Sequence, residues 1–353
     1  MTLSRKLCGE RVADVRSKAA MIFCGSAATL RGGKTKGEMH VKHTGIILAT
    51  IAAFTSLTGS VVSARADITR LPPEVVAGIA ALGPTLDRPM VAKTNELMKG
   101  LAPMTPPASV TIAADVAYGD DPLQAMDIYT PAKARNLPIA VFFHGGGFVL
   151  GDKKEYANVP SYLAQHGMVA VNANYRLAPK VTWPAESQDV AAVVAFFQKS
   201  AARYGGDPRR IVLIGHSAGA TIVATYVLDP RVYPKAGPAV AAAILVSLPA
   251  AVPAGVRDQD LAYYGDRNQL ADRVPSPYLE KSKLPMMLTS AEYDPVILSP
   301  EAYDFAGRIC VRDGKCPTFY YVKGHNHISE ISSIGSKDDQ LARAIADFVR
   351  SVR

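Results

Sequence analysis

From residue 138 onward the chain alternates short, unbroken apolar runs with segments of helical length. PIAVFF at 138–143, MVAVNA at 168–173 and RIVLI at 210–214 are strand-length and almost free of polar residues. Strands of that texture are buried on both faces, which calls for helices above and below them and favours parallel pairing. Residues 240–248, 285–290 and 318–322 continue the series, and residues 185–204, 217–228, 300–311 and 338–349 read as helices. Ahead of them, residues 109–117 and 124–129 flank Gly119-Asp120-Asp121-Pro122 and read as a strand pair. The pattern predicts an α/β fold with a mainly parallel central sheet of about eight strands flanked by helices. A chain that is 48% hydrophobic and 20% charged excludes wholesale disorder.

Two stretches stand outside the alternation. Residues 67–106 carry Val75, Val76, Ile79 and Ala80, then Val91, Leu97 and Leu101, at helical spacing between prolines and glycines. Residues 250–283 form a polar insertion between two strands and contain Tyr263 and Tyr264. Sheets of this kind bind ligands outside the carboxyl ends of their strands. Both stretches are expected to form a small helical cap there.

The net charge of +8 would point to an acidic partner if it covered the folded body. It does not. Residues 1–66 hold ten Lys/Arg and three Asp/Glu, leaving 29 bases against 28 acids in residues 67–353. With no basic surplus and Trp183 as its one indole, the body is expected to bind no nucleic acid. The basic segment reads instead as an address. Met39-His40-Val41-Lys42 is a basic start, GIILATIAAF at 45–54 is uncharged and apolar, and Ala64-Arg65-Ala66 is a small-x-small site. These are the parts of a secretory signal peptide over 39–66, cleaved after Ala66. The apolar run is too short for a convincing membrane span. The expectation is therefore an exported chain, periplasmic or extracellular, with one folded domain over 67–353 and no stable membrane insertion. Residues 1–38 are an extension that such signals seldom carry, and a translation start at Met39 would account for it. An uncleaved anchor and a disordered tail are the alternatives.

Cys8 and Cys24 fall in that leader. Cys310 and Cys316 remain, enclosing VRDGK with an Asp313-Gly314 turn signal. A disulfide between them fits an oxidising compartment, and two free buried thiols are the alternative.

The chemistry concentrates in four places. Gly215-His216-Ser217-Ala218-Gly219 lies directly between the strand RIVLI and a helix. This is G-x-S-x-G in the context it requires: a sharp strand-to-helix turn presents the serine hydroxyl above the sheet. Ser217 is the expected nucleophile, with the serine cap of an ordinary strand–helix turn as the bland reading. His144-Gly145-Gly146-Gly147-Phe148 ends the strand PIAVFF. Backbone N–H groups on glycines approach a developing oxyanion closely, so Gly146 and Gly147, with Ala218 after the nucleophile, are the expected oxyanion hole. The spacing is not that of a phosphate-binding loop.

A serine nucleophile needs a histidine and an acid, here later in the chain. Only His325 and His327 follow Ser217, both after the strand TFYYV. His327 is favoured because it lies deeper in the loop, with His325 as its rival. A metal-binding His-x-His pair lacks an evident third ligand. Asp294, just past the strand ending at 290, is the expected acid, with Glu292 and Asp304 as alternatives.

HGGGF, YRLAP at 175–179, GHSAG, Asp294-Pro295 and Gly324-x-x-His327 together resemble the α/β-hydrolase superfamily. Within it they are similar to the hormone-sensitive-lipase-type carboxylesterases and the neighbouring feruloyl-esterase and arylformamidase-like group. The resemblance covers residues 124 to 353. It departs at His216, where the lipase-type group usually has Asp, and at Ala220, which replaces a further Gly. It implies an α/β-hydrolase fold and a serine carboxylesterase that hydrolyses small-molecule esters through an acyl-enzyme on Ser217, with no cofactor and no metal. An arylformamidase or amidase on the same triad is the alternative. A non-catalytic hydrolase-fold binding protein is the alternative of another class.

Overall fold

The computed structural model describes residues 69–352, position 254 excepted. The extension 1–38 and the expected signal peptide 39–66 lie outside the described residues. Eight strands form one sheet: β1 (Val110–Ala117), β2 (Ala125–Pro131), β3 (Leu137–Phe143), β4 (Val169–Ala173), β5 (Gly206–His216), β6 (Ala242–Val246), β7 (Met286–Tyr293) and β8 (Thr318–Asn326). Their order is β1-β2-β4-β3-β5-β6-β7-β8. The β1–β2 and β2–β4 pairs are antiparallel, and every later pair is parallel. Among the described residues ten α-helices accompany them: α1 (Pro73–Leu82), α2 (Arg88–Met98), α3 (Asn158–Gln165), α4 (Ala185–Ser200), α5 (Ala218–Leu228), α6 (Asp258–Tyr264), α7 (Leu270–Arg273), α8 (Ser299–Asp313), α9 (Ser329–Ser332) and α10 (Gln340–Ser351).

The apolar runs explain the layering. Successive strand side chains point to opposite faces, so each continuous run feeds two cores. Ile139, Val141, Phe143, Leu213 and Leu245 face α4 and α5, with Val190, Phe197 and Ile222 opposite them. Ala140, Phe142, Val212, Ile214 and Ile244 face the other way, onto Leu163 of α3 and Leu341, Ile345 and Val349 of α10. Each such buried aliphatic side chain contributes roughly 1.5–3 kcal/mol.

Several boundaries move from their expected places for local reasons. β6 is shorter than 240–248, running from Ala242 to Val246, and Ser247 with φ of 46° ends its extended pairing. β8 runs on past residue 322 to Asn326, so His327 leaves the sheet directly from its end. α4 stops at Ser200, and residues 201–204 continue as a 3-10 turn closed by left-handed Gly205. α8 closes on left-handed Gly314, inside the loop joined by a disulfide between Cys310 and Cys316.

Within 67–106, α1 packs on β8 and α2 on α9. Leu71, Val75, Ile79 and Met98 form a small core there, joined by Tyr293 at the end of β7. The 250–283 segment contains α6 and α7, and α6 reaches the glycine loop that follows β3.

Candidate active site

β5 delivers the polypeptide to Ser217 at the carboxyl edge of the sheet, and α5 begins at the next residue. Ser217 has φ 54° and ψ −123°, a conformation that costs an L-residue energy and persists where the surroundings impose it. Those surroundings are backbone. A Cβ on Gly215 would come 2.3 Å from the carbonyl oxygen of Gly219, and one on Gly219 would come 2.2 Å from that of Phe143. The two motif glycines let β5, α5 and the end of β3 converge, and Ser217 is left partly exposed among buried neighbours.

β3 ends at Phe143, and the glycine loop turns back beside the serine. A Cβ on Gly145 would lie 3.2 Å from Ser217 Cβ. Gly146 and Gly147 have φ of 129° and 58°, open to glycine at little cost. Residues from the YRLAP segment brace the loop: the Tyr175 hydroxyl donates to the His144 carbonyl at 2.9 Å, and Ala178 N–H donates to the Phe148 carbonyl at 3.0 Å. From α6, Tyr263 stacks on Phe148 with ring centroids 3.9 Å apart, and Gln259 lies against Gly147.

His327 and Asp294 leave the ends of β8 and β7. His327 Nε2 is 2.8 Å from Ser217 Oγ, and His327 Nδ1 is 2.8 Å from Asp294 Oδ1. An ionised carboxylate cannot donate, so Nδ1 carries the ring proton and Nε2 is free to accept from the serine hydroxyl. Burial alone would raise the pKa of Asp294. The His327 hydrogen bond and charge, the Ser247 hydroxyl and the Ala291 N–H outweigh it and hold the carboxyl below its ordinary range.

The alternatives to His327 and Asp294 are engaged elsewhere. His325 turns away, its Nδ1 3.1 Å from Ser329 Oγ and its Nε2 3.3 Å from Asp338 Oδ2. Glu292 accepts from Gly324 N–H at 2.7 Å and holds the turn before the histidine. Asp304 is exposed on α8, 3.8 Å from Arg308. Gly146 and Gly147 sit in the loop beside Ser217, and Ala218 is the first residue of α5 directly after it.

Three residues that motif reading placed elsewhere or passed over also meet here. His216 is buried, and its Nε2 donates to the His327 carbonyl at 2.8 Å. Burial, aided by His327 beside it, pushes its pKa down to about 3, so it stays neutral. Ser247, just past β6, lies between Asp294 and Glu330 of α9. Its link to two other chain segments leaves no spacing signature. His216, His327 and Glu330 bring possible metal-ligand atoms within 4.8 Å of one another. Both His327 nitrogens are engaged by Ser217 and Asp294, so a metal there would have to displace a contact of the serine–histidine–aspartate path.

The BD-FAE family matches residues 126–229, the segment from β2 to the end of α5. Esterase LipQ of Mycobacterium tuberculosis is 26% identical over 263 residues, 67% of this chain and 61% of that protein. The versiconal hemiacetal acetate esterase of Dothistroma septosporum is 37% identical over 128 residues, 36% of this chain and 38% of its own length. The chain thus spans less than two thirds of either relative. The solved structure of a hyperthermophilic esterase from the archaeon Pyrobaculum calidifontis superposes with a TM-score of 0.62 at 21% identity, covering 80% of this chain and 98% of that one. The strand order, the turn at Ser217 and the superposition give the chain an α/β-hydrolase fold, and the curated relatives it is similar to are esterases.

Proposed function

We propose that the protein is a serine carboxylesterase acting on small-molecule esters. The observation that carries this reading is the continuous hydrogen-bonded path from Ser217 through His327 to Asp294. Ser217 Oγ attacks the ester carbonyl as His327 Nε2 takes its proton, and Asp294 stabilises the imidazolium. The tetrahedral oxyanion rests on the N–H groups of Gly146, Gly147 and Ala218. His327 returns the proton to the leaving alcohol. Water, activated by the same imidazole, then releases the acid from Ser217. No step calls for a cofactor. The relatives named above are esterases, which supports ester over amide chemistry.

The segments 67–106 and 250–283 would set the size of the substrate. Support comes from Gln259 and Tyr263, which border the glycine loop. A screen of p-nitrophenyl esters of increasing chain length, with feruloyl esters and N-formylkynurenine alongside, tests the reading. Ester turnover lost in Ser217→Ala is the expected result. Preferential turnover of N-formylkynurenine would replace it with the formamidase reading, and no turnover at all with that of a binding protein.

We further infer export by a signal peptide over 39–66. The Cys310–Cys316 disulfide supports an oxidising compartment. N-terminal sequencing of the exported protein should begin at Asp67.

A further inference from the structure

A second carboxyl group stands behind the triad. Ser247 Oγ is 2.6 Å from Asp294 Oδ2 and is also hydrogen-bonded to Glu330 Oε1. A hydroxyl has one proton to give. Asp294 must be ionised to serve His327, so Ser247 donates to Asp294. The contact between Ser247 and Glu330 then needs a proton from Glu330. The surroundings supply that state: Glu330 is fully buried, and burial together with the Asp294 charge drives its pKa well above the ordinary carboxyl range. The titratable groups facing it are Asp294, at the end of β7, His327, after β8, whose ring comes within 4.8 Å, and His216, at the end of β5, whose Nε2 is 3.8 Å from Glu330 Oε1. Neutral His216 and neutral Glu330 do not form an ion pair. Thr289 of β7 and Ser247 complete its polar surroundings.

The backbone points the same way. Ser247 has φ 46°, so the strand-ending residue that reaches both carboxyls is held in the left-handed region, like Ser217 itself. Asp294 Oδ2 also accepts from Ala291 N–H at 2.9 Å and from the Ser290 hydroxyl at 3.3 Å, so the donors gather on that oxygen and leave Oδ1 for His327.

We propose that Glu330 and Ser247 are positioning residues for the triad. Glu330 donates to Ser247, Ser247 donates to Asp294 Oδ2, and the relay aims Oδ1 at His327 Nδ1. It rests on reading Ser217, His327 and Asp294 as catalytic.

The test uses the full chain, a short p-nitrophenyl ester, and titration of the serine with diethyl p-nitrophenyl phosphate. Ser247→Ala and Glu330→Ala should each lower kcat about tenfold or more with KM little changed, as expected for losing a hydrogen bond to a charged group. Glu330→Gln, whose amide can still donate to Ser247, should recover most of that loss. Ser247→Ala should also move the acid limb of the kcat/KM profile to higher pH. Asp294 with one donor fewer is a stronger partner for the His327 imidazolium, so the ring holds its proton to higher pH. A merely structural role would lower stability without moving that limb. A Glu330→Gln variant as impaired as Glu330→Ala overturns the proposal, as does wild-type kcat in Glu330→Ala. Should Glu330→Ala not fold, Ser247→Ala decides alone: wild-type kcat with an unmoved acid limb overturns the relay. Failure of the triad reading looks different, since Ser217→Ala would then still release one p-nitrophenolate per chain from the phosphate.

Discussion

Gly219 on the nucleophile helix abuts the end of β3: a Cβ there would lie 2.2 Å from the Phe143 carbonyl oxygen and 2.5 Å from that of His144. The contact joins the element carrying the nucleophile to the element carrying the glycine loop. Both opposing atoms are backbone, so neither can rotate aside. Gly219→Ala should therefore push α5 away from β3, destabilising the fold by about 1–3 kcal/mol or more and separating Ser217 from the loop. Urea unfolding together with ester turnover reads both effects. A variant with a wild-type midpoint and wild-type activity would show that the approach is slack.

Much of this site was legible in the sequence because its parts are local. G-x-S-x-G needs only the strand before it and the helix after it, and Asp294 and His327 each stand within a few residues of a strand end. The sheet was legible for the same reason, since unbroken apolar runs can be buried only between two layers. Ser247 and Glu330 were not legible. Their meeting depends on β6 and β7 being neighbours and on α9 turning back over both. The spacing of Val75 and Ile79 foretold a helix but not its partner, which is β8.

The triad geometry predicts graded losses. Ser217→Ala removes the nucleophile and should lower kcat by a factor on the order of 10⁶. Asp294→Asn keeps the shape but favours the wrong histidine tautomer, and should cost about 10⁴. Initial rates on p-nitrophenyl acetate, with folding checked by circular dichroism, measure both. A Ser217→Ala enzyme keeping a tenth of wild-type turnover is incompatible with the assignment.

Gly146 separates oxyanion stabilisation from folding less cleanly. It has φ 129°, and a Cβ there would lie 1.9 Å from the Leu150 carbonyl oxygen. Gly146→Ala must shift the loop, which braces against Tyr175 and Tyr263 through its flanking residues. Turnover should fall about 10²–10³-fold, the usual cost of one lost oxyanion donor. Because the phosphoryl group of diethyl p-nitrophenyl phosphate also develops oxyanion charge, its reaction with Ser217 should slow in parallel.

The disulfide closes a short loop at the far end of α8 from Asp294. In a chain-entropy picture a loop of that length contributes about 2 kcal/mol. Replacing both Cys310 and Cys316 by serine should therefore lower Tm by several degrees while leaving ester turnover at 25 °C nearly intact. Thermal unfolding with and without a reductant checks it. The reductant should lower Tm in the native chain and do nothing to the double variant.

Glu186 on α4 gives a pH signature of its own. It is wholly buried, neither carboxyl oxygen has a hydrogen-bond partner, and burial pushes its pKa up to about 8. The unfolded carboxyl titrates near its ordinary value of about 4.3. Below that pH both states hold the proton, and the group is neutral to stability. Between about 4.3 and 8 the unfolded chain releases a proton that the folded chain retains, so stability falls as pH rises, then levels off. A glutamine at this position stays neutral throughout. The Tm advantage of Glu186→Gln over the native chain should be small at pH 5 and several degrees at pH 8. An advantage that is constant with pH would mean that the carboxyl finds a compensating partner on ionising.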